Sequence, residues 1–82
     1  MNISGLLITA VEGAEASVVA QLADVTGLEV AHRLPGGRIV ATLERETTDD
    51  EVAVVRRLYG IDGVVSAVMA YHYFEDETAT DR

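Results

Sequence analysis

A βαββαβ sandwich, with two helices on one face of a four-stranded antiparallel sheet, is predicted by three observations in this 82-residue sequence. Strand-like runs rich in β-branched residues alternate with helix-periodic segments in the order strand, helix, strand, strand, helix, strand. A Pro35-Gly36-Gly37 turn joins the two middle strands as a hairpin. A glycine opens the strand after each helix, in Gly27-Leu28 and in Gly63-Val64, an echo that marks two βαβ halves. Two such halves close most simply as a ferredoxin-like α+β fold. Residues 1–74 are expected to form this single domain. Residues 75–82, with one alanine as their only apolar residue, are expected to form a mobile acidic tail.

Each element has its own warrant. Residues 3–10 carry no charge, as befits a central strand. Ala14, Val18, Leu22 and Val25 then fall on one helical face, with Glu15, Gln21 and Asp24 outward, and Gly27 stops the helix. Residues 28–34 and 38–45 are the hairpin strands. Thr48-Asp49-Asp50-Glu51 has the spacing of a capping box, in which Thr48 accepts from the fourth residue and Glu51 reaches back. The acids suit the positive pole of that helix, and Arg56 and Arg57 suit the negative pole. Val52, Val55 and Tyr59 are its expected buried stripe, with Gly60 or Gly63 closing it. Residues 64–74 are the last strand.

Composition excludes several classes of function. There is no cysteine, so disulfides, thiolate-bound clusters, Cys-ligated zinc and thiol catalysis are out. The longest mainly apolar run, residues 64–71, is far shorter than the ~20 residues of a membrane span. The first residues lack the basic segment of an export signal, which points to a cytoplasmic protein. A net charge of −8 disfavours nucleic acid and anionic membranes, while a basic peptide suits it. Solubility alone also accounts for such a charge.

No catalytic constellation stands out. The two histidines, His32 and His72, lie on different strands, and no H-x-x-H or H-E-x-x-H spacing occurs. The acidic runs 49–51 and 75–77 lack the alternation and central glycine of a calcium loop. Strand three has no aromatic residue on which RNA bases could stack. No metal or cofactor is therefore expected, and binding by the uncovered sheet face remains.

Alternation defines that face. Leu6 and Ile8 on strand one, and Ile39, Ala41 and Leu43 on strand three, are the bulkier sets and point to the helices. Gly5, Leu7, Thr9, Val40 and Thr42 then point away. On strand four, a bulge following Val65 would turn Val64, Ala67, Met69 and Tyr71 inward and Val68, Ala70 and His72 outward. The candidate binding residues are Leu7, Thr9, Glu29, Val40, Thr42, Glu44, Val68, Ala70 and His72, an apolar centre with Glu29 and Glu44 at its margins. A homodimer packed sheet to sheet would use the same surface.

The stretch Gly63-Val64-Val65-Ser66-Ala67-Val68-Met69-Ala70-Tyr71-His72 resembles the G-V-L-x-A/V-x-L-V-Y-H-like strand of the NapD family, acidic residues following in both. Weaker likeness extends through Ser4-Gly5-Leu6-Leu7-Ile8, Gly27-Leu28-Glu29-Val30 and Gly37-Arg38-Ile39-Val40, so that most of residues 3–77 are covered. Gly5 stands where the family often has serine. The resemblance implies a cytoplasmic chaperone of the periplasmic nitrate reductase. It would bind the twin-arginine signal peptide of the catalytic subunit, docked as a helix on the open sheet, and delay export until the molybdenum cofactor is inserted. Glu29, Glu44 or Glu75 would meet the arginines.

An ACT-like regulatory domain for small ligands shares the element order, and Gly13 after strand one fits it, but it leaves the Tyr71-His72 strand unexplained. A heavy-metal chaperone of the same fold would need C-x-x-C. An acylphosphatase-like enzyme would need an arginine after strand one and an asparagine on strand three, and neither is present.

Overall fold

The computed structural model describes residues 2–74, with side chains as far as Ala70, so the expected acidic tail lies outside the described residues. Its elements are β1 (Asn2–Ala10), α1 (Glu15–Leu22), β2 (Leu28–Leu34), β3 (Arg38–Arg45), α2 (Thr48–Tyr59) and β4 (Val64–Phe74). The four strands form one antiparallel sheet in the order β2-β3-β1-β4, with β1 central as its charge-free sequence predicts.

Alternation sorts the two faces of the central strands. Leu6 and Ile8 of β1 and Ile39, Ala41 and Leu43 of β3 are fully buried, together with Val18 and Leu22 of α1 and Val54 and Leu58 of α2. Both helices therefore supply the same core. Burying a leucine or isoleucine of this kind contributes about 1.5–3 kcal/mol.

The first helix is shorter than its apolar period suggests. It ends at Leu22, and buried Val25 enters the core from a turn in which its amide bonds the Leu22 carbonyl. Asp24, Val25 and Thr26 are weak helix formers just ahead of a glycine, so propensity favours the turn. Gly27 has φ +86°, and its carbonyl accepts the Glu44 amide at 2.8 Å. A Cβ there would collide with the Glu44 carbonyl, so the glycine fixes how β2 enters the sheet.

The second helix corrects two expectations. Thr47, not Thr48, is the N-cap, and its side chain accepts from the Asp50 amide at 3.0 Å. Glu51 does not reach back to the cap. It is fully buried and accepts from Ser4 Oγ at 2.8 Å, while Asn2 Nδ2 donates to Thr48 Oγ1 at 3.1 Å. The buried stripe is Glu51, Val54 and Leu58, flanked by half-buried Val55; Val52 and Tyr59 are 42% and 52% exposed. The helix is rotated so that its first turn meets the polar start of β1, and Ser4 supplies a donor to the buried carboxylate.

In β4, Ala10 pairs with Val64 and Thr9 with Ser66, so the expected irregularity is present, with Val65 itself, not a residue after it, left unpaired. Val64 and Met69 pack on the core, Ala67 is buried, and Val65 and Val68 are exposed. A second irregularity follows. Leu6 pairs with Met69 and Gly5 with Tyr71, so Ala70 has no partner on β1. The expected inward Tyr71 and outward His72 are side chains outside the described residues; their backbone positions lie opposite Gly5 and Ser4.

Candidate functional site

The sheet face away from both helices is built in rows, because paired residues of an antiparallel ladder point to the same side. One row crosses all four strands: His32 of β2 pairs with Val40 of β3, Val40 with Leu7 of β1, and Leu7 with Val68 of β4. Leu7 and Val40 are half-buried, and Val68 is 52% exposed. These side chains present a narrow apolar floor to whatever covers the sheet.

Rows on either side carry charged and hydroxyl side chains. Toward the end where β1 begins, Glu29 pairs with Thr42 and Thr42 with Gly5, and beyond them Glu44 pairs with Ile3. Glu29 and Glu44 are exposed and sit on neighbouring strands two pairing positions apart, the diagonal spacing of roughly 7–8 Å. Toward the other end, Leu34 pairs with Arg38, Arg38 with Thr9, and Thr9 with Ser66.

The structure thus brings Leu7, Thr9, Glu29, Val40, Thr42, Glu44 and Val68 onto one face. Ala70 is exposed but falls at the second irregularity of β4, and the side chain of His72 lies outside the described residues. Alternation alone misses His32. An irregularity at Ala31 interrupts the pairing of β2 with β3 between Val30 and His32. It sets His32 and Leu34 on the open side and Arg33 on the helix side, where Arg33 Nε donates to Glu15 Oε2 of α1 at 3.0 Å. Arg38 and Ile3 also belong to the face. The parity of Val40 and Thr42 on β3, and of Leu7 on β1, carries the signal for both.

Among its described residues, the face presents apolar, hydroxyl and charged side chains. Among the described residues, no three histidine, aspartate or glutamate side chains come together as a metal site. No helix among them is long and apolar enough to cross a membrane. A Leu–Val floor with carboxylates at one margin suits a chain that is apolar along one side and carries arginines at one end.

The model of a family described as NapD protein matches residues 1–76. No curated protein matches the chain. Among solved structures, the chain is similar to the solution structure of the E. coli Tat proofreading chaperone protein NapD, with a TM-score of 0.79 at 22% identity, covering 92% of this chain and 80% of that one. At that identity the likeness bears on the fold, and it supports the βαββαβ sandwich described above.

Proposed function

Because this chain belongs to the NapD family, we propose that it is a cytoplasmic chaperone in the maturation of a periplasmic nitrate reductase. It binds the twin-arginine signal peptide of the catalytic subunit on its open sheet and delays export until the molybdenum cofactor is inserted. The chaperone itself binds no metal or cofactor and catalyses nothing. Sequestration suffices, since a leader held against the sheet is withdrawn from the export machinery.

The observation that carries this reading is the row His32, Val40, Leu7 and Val68, bordered by Glu29 and Glu44. Covering the exposed half of a valine such as Val68 contributes about 1 kcal/mol, so a few such contacts give useful affinity without a deep pocket. The carboxylates add charge-assisted bonds to arginine, which are roughly twice as strong as neutral ones. The similar E. coli structure is named a Tat proofreading chaperone, which supports the same class of activity here.

Isothermal titration with the reductase leader peptide tests the proposal. Saturable heat with the leader and none with a panel of free amino acids is the expected result. Saturable binding of an amino acid, with no response to the leader, would replace it with the regulatory-domain reading.

A further inference from the structure

The open face has a direction. At the end where β1 begins, Glu29 and Glu44 stand together, and a cleft lined by Ile3, Val25, Gly27, Glu29, Thr42 and Glu44 opens at that corner. At the opposite end, the open face carries Arg38, whose Nε donates to the Pro35 carbonyl at 3.2 Å and so is tethered at that rim. The row between them contains neither a carboxylate nor an arginine. Ile3 to Thr9 is six steps of β1, roughly 20 Å at ~3.3 Å each. A helix covers that length in about thirteen residues.

We propose that the leader lies along the strands in one orientation, its arginine pair at the Glu29–Glu44 corner and the far end of its apolar stretch at Arg38. This rests on the peptide-binding reading above, with the leader docked as a helix. Two independent fields select the same direction. The guanidinium groups find paired carboxylates, which offer them planar two-point contacts. The helix itself has a positive N-terminal pole, which meets Glu29 and Glu44, and a negative C-terminal pole, which meets Arg38. A reversed leader would set its arginines beside Arg38 and its negative pole against two carboxylates. Arg38 is therefore a specificity residue that acts mainly against the wrong orientation.

The absence of cysteine makes the test clean. Single cysteines are introduced by Thr42→Cys at the acidic end or Ser66→Cys at the other. Each protein is mixed with leader carrying one cysteine, either just before the arginine pair or just after the apolar stretch. Disulfide cross-links are counted by mass, and titration on the same proteins reports binding. The arginine-end cysteine should cross-link at least ten-fold more to Thr42→Cys than to Ser66→Cys, and the far-end cysteine should show the reverse. In an Arg38→Glu background, which leaves an exposed position folded, the preference should fall to within about two-fold. Saturable binding with the opposite pattern, or with no preference in the parent protein, would overturn the orientation and leave the peptide-binding reading standing. No saturable binding to the parent protein would overturn both.

Discussion

Ser4 ties the first turn of α2 to β1. Its hydroxyl is fully buried, donates to Glu51 at 2.8 Å and lies 3.7 Å from Met69 Sδ. Ser4→Ala removes a donor from a buried carboxylate, so a loss of about 1–3 kcal/mol is expected in urea unfolding. Asn2→Ala breaks only the part-buried bond to Thr48 and should cost about 0.5–1.5 kcal/mol. An equal loss in the two variants would show that Glu51 draws little from Ser4. A second pair of neighbours separates folding from binding. Val68 is half exposed on the open face, and Val68→Asp should leave the melting temperature within the equivalent of about 0.5 kcal/mol while abolishing the leader's titration heat. Met69 packs on the core, and Met69→Asp should unfold the domain. The reverse pattern would exchange the inward and outward sets of β4.

At the scale of elements, α2 shows where a sequence stops being informative. Its existence is written in the capping residues and in the switch from acids to arginines. Its rotation is not, because hydropathy assigns a glutamate to solvent, and a serine that hydrogen-bonds it lies 47 residues earlier. The corrected orientation predicts that Val54→Asp unfolds the protein and Val52→Asp does not, as circular dichroism melts would record. Thr47→Ala should cost about 1 kcal/mol through loss of the cap. The strands were more legible. A period of two with unequal side-chain sizes sorts β1 and β3 without ambiguity, and the mismatch in β4 calls for a bulge, which the structure places at Val65. In the candidate site, Leu7, Thr9, Val40, Thr42 and Val68 follow from that same alternation. His32 does not, since no local signal announces the irregularity at Ala31. Arg38 beside the turn reads first as hairpin punctuation, although its parity with Val40 places it on the face.

For the whole molecule, the net charge of −8 acts at a distance that no single contact covers. Attraction between this field and a leader with two arginines should raise the association rate at low salt. Raising the ionic strength to physiological values contracts the screening length to about 8 Å, so stopped-flow association should slow more than dissociation quickens. An association rate indifferent to salt would leave the acidity as a solubility feature. A second copy packed sheet to sheet would cover Leu7, Val40 and Val68, so leader and self-association must compete, and sedimentation with and without leader checks this. The sheet's margins point elsewhere. The central pair β1 and β3 runs in register from Asn2–Arg45 to Thr9–Arg38, whereas both outer strands are interrupted, β2 at Ala31 and β4 at Val65 and Ala70. A carrier of hydrophobic cargo risks becoming a template for it, each captured strand adding to the last until a fibre grows. Broken margins are poor templates, since a newcomer's amides fall out of step at every interruption. Interrupted outer strands therefore work against edge-to-edge growth of the sheet.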